Sequence, residues 1–141
     1  MKVENAMSKR LVTARPEMTL REASKIMIKE NVSFLVVISN GELYGVISEK
    51  DIVRALAEDR NPDTTKISDV CTRKVITVRK DDLLSYAAGL MRRHGIRHLV
   101  VVDDNGRPIG VLSIRDLLRE AETLKKIEEM TPDQLQDWWF G

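Results

Sequence analysis

Two short segments of the chain place a serine three residues before an aspartate. They read GVISEKD over 45–51 (the first turn) and GVLSIRD over 110–116 (the second turn). A serine at the start of a helix lies beside unpaired backbone amides, which form a natural anion site. A carboxylate three residues later can accept hydrogen bonds from two ribose hydroxyls, as in dinucleotide-binding folds. The candidate residues for a phosphorylated nucleoside are therefore Ser48, Asp51, Ser113 and Asp116.

The same spacing also has a purely structural interpretation. Ser-x-x-Asp is close to a capping box, in which the two side chains only satisfy polar groups at a helix start. Recurrence does not separate the two interpretations, because duplicated caps would recur as well. From the residues alone, both stay open.

Other residue types give little support for catalysis or for a metal site. The sole cysteine, Cys71, has no histidine beside it in sequence, and we expect it to be inert. His94 and His98 straddle Gly95, so they cannot share one helical face, and we expect no zinc. A P-loop pattern is absent. We therefore expect no enzyme, no catalytic residues and no catalytic cofactor: a nucleotide would be sensed and not consumed.

Composition predicts a folded cytoplasmic protein. Apolar residues make up 43% of the 141 residues, charged residues make up 32%, and the net charge is +1. The near-neutral charge makes nucleic acid an unlikely partner. The longest apolar run, 34–38, is far shorter than the ~20 residues of a membrane span, and the start lacks the apolar core of a signal peptide.

The chain repeats itself at an offset of 64 residues, which becomes 65 beyond a turn. Over 13–38 there are 8 identities in 26 positions, and over 41–56 there are 6 in 16. The single-residue shift falls inside a turn, as expected for duplicated structural units. The chain is therefore predicted to be two copies of one unit.

Each copy predicts a β-α-β-β-α unit. The first copy gives strands over 11–14, 32–38 and 43–47, a helix over 20–29, and a second helix starting near Asp51. The second copy gives strands over 75–78, 96–102 and 109–112, a helix over 84–93, and a second helix starting near Asp116. The helix and hairpin ends are predicted by Thr19 with Glu22 (capping box), Asn31 and Gly95 (left-handed caps), and Asn40-Gly41 and Asn105-Gly106 (hairpins).

The predicted fold class is α/β (α+β), with two β-α-β-β-α repeats packed by pseudo-twofold symmetry. The first repeat covers 1–60, a linker covers 61–67, the second repeat covers 68–122, and a tail with an aromatic end covers 123–141. Continuous aliphatic strands need cover on both faces, which a second copy supplies. Such packing also creates clefts, where small-molecule sites are common.

Over residues 4–122 the chain resembles a tandem pair of cystathionine β-synthase (CBS) domains, also called a Bateman module. The resemblance rests on an ordered set of features that occurs twice: a Val-x-Thr-like opening, a Leu-x-x-Ala-x-x-x-Met helix, a Leu-Val-Val strand, and a closing Gly-h-h-Ser-x-x-Asp segment. It implies a stand-alone module that binds an adenosine compound such as AMP, ADP, ATP or S-adenosylmethionine. It also implies pairing of modules, here as a homodimer.

The resemblance implies a role for particular residues of this chain. Asp51 and Asp116 match the aspartate that holds the ribose hydroxyls, and Ser48 and Ser113 match the hydroxyl residue that contacts ribose or phosphate. Thr13 and Thr77 match a threonine near the phosphate. The aliphatic positions that sandwich the purine are Val12, Ile47, Ile76 and Leu112.

Basic residues distinguish the two turns. Arg97 and His98 fall where nucleotide-binding relatives often carry phosphate-facing residues, whereas the first copy has Ser33 and Phe34 there. Arg115 lies inside the second turn, and arginine suits phosphate through bidentate donation. We expect unequal sites, with the tighter one containing Asp116.

The predicted function is a sensor that binds AMP, or else ADP or ATP, and signals occupancy to a separate effector protein by a conformational shift. The alternatives are a structural dimerisation module with empty clefts and a module that binds S-adenosylmethionine. Trp138, Trp139 and Phe140 are predicted to form a subunit interface, because exposed aromatic residues at a chain end are otherwise avoided. A covering role on their own module is the alternative for these three.

Overall fold

The computed structural model describes residues 1–124 and 132–133, and over these it follows the predicted β-α-β-β-α order twice. The first copy comprises β1 (Thr13–Ala14), α1 (Leu20–Glu30), β2 (Phe34–Ser39), β3 (Glu42–Ser48) and α2 (Glu49–Ala57). A short helix, α3 (Ile67–Val70), follows. The second copy comprises β4 (Thr77–Arg79), α4 (Leu84–His94), β5 (His98–Val102), β6 (Pro108–Ser113) and α5 (Ile114–Leu124). The mixed α/β class is confirmed.

Each copy contributes one three-stranded sheet with the same pairing. In the first sheet β2 is central, parallel to β1 and antiparallel to β3, and in the second β5 takes that place between β4 and β6. The last residue of β3 is Ser48, and the last residue of β6 is Ser113. Each sheet therefore ends at a serine from which a helix starts.

The predicted local signals explain where the elements end. Thr19 accepts from the Glu22 amide and Glu22 accepts from the Thr19 amide, so the capping box of α1 is formed. Asn31 and Gly95 end their helices with left-handed φ values of 54° and 62°. Helices α2 and α5 begin near Asp51 and Asp116, as predicted, and these aspartates occupy the third helical position.

The chain divides into two compact units that do not coincide with its sequence repeats. Leu11–Val75 form the first unit, and Met1–Arg10 join the described residues from Ile76 onward in the second unit. Val46 of β3 pairs with Thr72, and at matched positions Val111 of β6 pairs with Ser8. The segment before the first strand of each copy therefore packs with the other copy. The repeat boundaries describe the duplication and stay a prediction.

Each unit has its own apolar core around its sheet. The first is centred on Leu35, Ile47 and Ile67, and the second on Leu99, Leu112 and Leu117, all of them without exposed surface. The segment before the first strand of each copy, which packs with the other copy, is called the exchanged segment. It contributes one apolar residue to each core: Ile67 to the first and Val3 to the second. Among the described residues, no helix is long and apolar enough to span a bilayer.

Candidate functional site

The first turn forms a complete capping box at the start of α2. The Ser48 amide donates to Asp51 Oδ2 at 2.9 Å, and the Ser48 hydroxyl donates to the same oxygen at 3.2 Å. In return, the Asp51 amide donates to Ser48 Oγ at 3.3 Å. The capping interpretation of the spacing is therefore confirmed here.

The second turn repeats this geometry at the start of α5. The amide and hydroxyl of Ser113 donate to Asp116 Oδ2 at 2.8 Å and 3.1 Å, and the Asp116 amide donates to Ser113 Oγ at 3.3 Å. Asp116 is buried, with 6% of its surface exposed. The hydrogen bonds explain how a buried carboxylate is tolerated, because they replace those lost to water.

The cap engages only one oxygen of each carboxylate. Oδ1 of Asp51 lies 3.2 Å from the guanidinium of Arg54, and Oδ1 of Asp116 lies 3.3 Å from that of Arg119. Both arginine side chains are more than half exposed, so these ion pairs are weak and readily exchanged. Each turn thus fixes a carboxylate through Oδ2 and presents Oδ1 as an acceptor for further donors, such as vicinal hydroxyls.

Arg54 and Arg119 are functional candidates that motif reasoning missed. They follow their aspartates by three residues and occupy equivalent positions of the repeat, so an arginine identity in both copies was the available signal. In the first unit, Arg54 also lines a cavity of about 170 Å³ with Asp51 and the polar residues of α2 and α3. The lining residues are Asp51, Arg54, Ala55, Glu58, Arg60, Asp69 and Val70.

The residue opposite each capped serine differs between the units. Phe34 pairs with Ser48 across β2 and β3, and His98 pairs with Ser113 across β5 and β6. Burial, with the positive charges of Arg97 and Arg115, lowers the pKa of His98 to about 4, while Asp116 opposes the shift. His98 is therefore neutral near pH 7 and adds no positive charge to the second turn. Arg97 and Arg115, which act on its charge, are exposed cations.

The aliphatic residues expected near a purine fall into two groups. Ile47 and Leu112 have no exposed surface and lie within the cores, whereas Val12 and Ile76 are half-buried beside the opening strands. Thr13 and Thr77 are exposed on β1 and β4. Val12 and Ile76 are thus the accessible apolar positions, and Ile47 and Leu112 support the strands that end at the serines.

Cys71 packs against the core of the first unit. Its partial burial raises the pKa of the thiol, which disfavours the nucleophilic thiolate. Within residues 1–124 and 132–133, no three histidine, cysteine or acidic side chains lie close enough together to hold a metal ion.

Comparison with known proteins identifies two CBS domains in the chain. The CBS domain model matches the chain twice, over residues 3–58 and 67–123. A structure of a CBS domain protein from Pyrobaculum aerophilum complexed with AMP is 33% identical, covers 92% of this chain and 100% of that one, and superposes with a TM-score of 0.83. The CBS domain pair of protein MJ0100, in complex with 5-methylthioadenosine and S-adenosyl-L-methionine, is also 33% identical, covers 85% and 98%, and has a TM-score of 0.79.

Matching segments also occur inside longer proteins. A homoserine O-acetyltransferase of Methanococcus vannielii is 34% identical over 116 residues, which is 82% of this chain. The chain spans 24% of the length of that relative. The match therefore concerns the paired domains and not the whole relative.

Proposed function

Because the chain belongs to the CBS domain family, with two such domains in tandem, we propose that it is a regulatory module that binds an adenine nucleotide. The observation that carries the proposal is the matched geometry of Asp51 and Asp116, each held through one oxygen by its serine. The other oxygen pairs with an arginine whose side chain is more than half exposed. A pair of ribose hydroxyls offers the donors that such an oxygen accepts.

AMP is the first candidate among adenosine ligands. The AMP-bound relative from Pyrobaculum aerophilum matches nearly the whole chain, which supports a ligand of the same kind. The arginines at the second turn, Arg97 and Arg115, suit a phosphate, and ADP and ATP share that feature. S-adenosylmethionine is the second candidate, and the complexes of the MJ0100 domain pair support it.

The proposed mechanism is a population shift and not a reaction. A ligand that contacts one arrangement of the protein better than another favours that arrangement by its difference in affinity, and an effector protein responds to the change. No residue is assigned a catalytic role, because the carboxylates are engaged in caps and the thiol is held protonated.

Thermal unfolding in the presence of AMP, ADP, ATP, S-adenosylmethionine and GMP tests the proposal. A ligand of the native state raises the melting temperature by mass action, because it stabilises the folded protein by about 2.7 kcal/mol at one hundred times its Kd. We expect a rise with AMP and a smaller one or none with GMP, the control for the base. No rise with any adenosine compound would overturn the proposal.

Assembly into a homodimer is a second proposed property. The first unit exposes apolar side chains on its helices: Ile28 is 84% exposed and Val53 is 63% exposed. The aromatic end at Trp138, Trp139 and Phe140 lies outside the described residues, so its role in a subunit interface stays a prediction. The cytoplasmic location also stays a prediction. Light scattering of the full chain and of a chain lacking 137–141 tests the assembly: we expect a dimer that the deletion weakens.

A further inference from the structure

The outer face of α4 differs in chemistry from the matched face of α1. Tyr86 is 52% exposed on α4, and Gly89, three residues further along, is exposed too. At the matched positions of α1, 64 residues earlier, stand Glu22 and Lys25, both charged and exposed. One copy of the repeat therefore has an ordinary solvated helix face where the other has an aromatic ring beside a bare backbone.

Gly89 is not required by the fold of its own unit. Apart from the backbone of α4 itself, no described atom lies within 4 Å of the position that a Cβ would take at Gly89. Its backbone is helical, so other residues could adopt it as well. Glycine inside a helix costs about 0.5–1 kcal/mol relative to alanine. The second unit thus keeps an unfavourable residue that its own packing does not need, which points to a contact beyond the unit.

Charges of opposite sign lie at the two ends of α4. Asp81 and Asp82 precede the helix, and Arg92 and Arg93 are exposed in its last turn. Each pair suits the dipole of its own helix. The same order also makes the helix complementary to a second copy of itself. When two such helices lie antiparallel, the acidic start of each faces the basic end of the other.

We propose that α4 docks against α4 of a second copy of this chain in antiparallel order, with the ring of each Tyr86 seated over Gly89 of the other copy. A twofold axis makes such a contact reciprocal. An axis that passes between residues 87 and 88 matches Tyr86 with Gly89 and Asp82 with Arg93 at the same time, because both pairs are centred on that point. The inference rests on the proposed homodimer and deepens it by naming the surface that pairs.

The chemistry of this face suits a protein interface. Tyrosine buries a large ring while its hydroxyl reaches water at the edge, and tyrosine and arginine are common interface anchors. The missing side chain at Gly89 lets the ring of the second copy approach the helix backbone. Leu83, which is 58% exposed at the start of α4, extends the apolar surface beside Tyr86. The charged pairs at the ends fix the direction of the helices more than they add affinity.

Substitution by the residues of the first copy tests the inference without harming the fold. Tyr86→Glu and Gly89→Lys introduce the side chains that α1 carries at the matched positions, and both new residues favour a helix. In the full chain, we expect each substitution to raise the dimer dissociation constant about tenfold or more, the loss of an interface anchor. Lys25→Ala on α1 is the matched control and should leave that constant unchanged. Sedimentation velocity over a series of protein concentrations measures it, and circular dichroism checks the fold.

Reversal of charge tests the direction of the two helices. Arg93→Glu and Asp81→Lys should each weaken self-association severalfold, because like charges then face each other. Asp81 is the better choice at the acidic start, since Asp82 accepts the Arg79 amide before the helix. We expect an equimolar mixture of the two variants to associate more tightly than either variant alone, because the reversed charges then face each other.

The outcomes separate this inference from the proposals on which it builds. A dimer whose affinity is the same with Tyr86→Glu or Gly89→Lys would overturn the inference and leave the homodimer standing. Single charge variants that weaken the dimer but do not restore it when mixed would overturn the antiparallel pairing. The face of α4 would then contact another surface, such as the aromatic end at 138–140. An unsubstituted chain that stays monomeric at every concentration would overturn the homodimer and the inference together, while AMP binding is tested separately.

Discussion

The backbone carbonyl of Thr72 lies directly over Gly45, so that a Cβ at Gly45 would be 2.5 Å from its oxygen. Gly110 has the same relationship to the carbonyl of Ser8, also at 2.5 Å. In both units the first residue of the turn must therefore be glycine, because a side chain there would collide with the backbone of the exchanged segment. The strand that delivers the serine is held by that approach, through hydrogen bonds of Val46 with Thr72 and of Val111 with Ser8.

Alanine at either glycine should destabilise the protein. The added Cβ must push the paired carbonyl away and break the adjoining hydrogen bonds, so we expect Gly45→Ala and Gly110→Ala each to cost at least about 2 kcal/mol. Gly89→Ala is the matched control, because Gly89 lies on α4 with nothing within 4 Å of its Cβ position. It should stabilise the protein by about 0.5–1 kcal/mol. Denaturant unfolding measures all three, and an equal effect at all three sites would contradict the packing described.

The serine caps should serve both stability and binding. Ser113→Ala removes the hydroxyl that fixes Asp116, and we expect it to cost about 1 kcal/mol of stability and to weaken AMP binding severalfold, because the carboxylate loses its fixed rotamer. Thr19→Ala removes an equivalent cap on α1, a helix that starts at neither turn. This variant should lower the free energy of unfolding by a similar amount and leave AMP binding unchanged. Equal loss of binding in the two variants would show that the effect comes from stability alone.

Protonation of His98 should make the protein sensitive to acid. Its pKa of about 4 in the folded state is lower than the ordinary value of 6.5, so below pH 6.5 the unfolded chain binds a proton that the folded chain does not. Stability should therefore fall as the pH falls from 6.5 towards 4, by about 3 kcal/mol in total. His98→Phe should remove that part of the pH dependence, measured by denaturant unfolding at several pH values. His94→Gln, on the exposed end of α4, is the control and should keep it.

Much of the framework could be predicted because its signals are local. Thr19 with Glu22, the left-handed Asn31 and Gly95, and Asn40-Gly41 with φ of 52° and 77° each act over a few residues. The same holds for the Ser-x-x-Asp caps. Their hydrogen bonds join residues three positions apart, so the spacing predicted a possible cap, although it could not separate a cap from a ligand site.

The missed features depend on contacts between distant parts of the chain. Helix α3 has four residues, too few to show a period, and it forms because Ile67 enters the first core. A sequence repeat shows which residues of the two copies are equivalent, but not which segments contact each other. The packing of Met1–Arg10 with the second copy could therefore not be predicted from the repeat. The neutrality of His98 was missed for the same reason, since it follows from burial.

We propose above all that Oδ1 of a capped aspartate, the oxygen that its serine does not engage, holds the ribose of an adenine nucleotide. Isothermal titration of AMP into the unsubstituted chain, Asp116→Asn and Asp51→Asn tests it most directly, because the amide keeps the cap acceptor and removes the anionic oxygen. We expect Asp116→Asn to weaken the tighter AMP site at least about tenfold, the value of a hydrogen bond to a charged group, and Asp51→Asn to weaken it less. AMP binding of the same affinity in all three proteins would contradict the account.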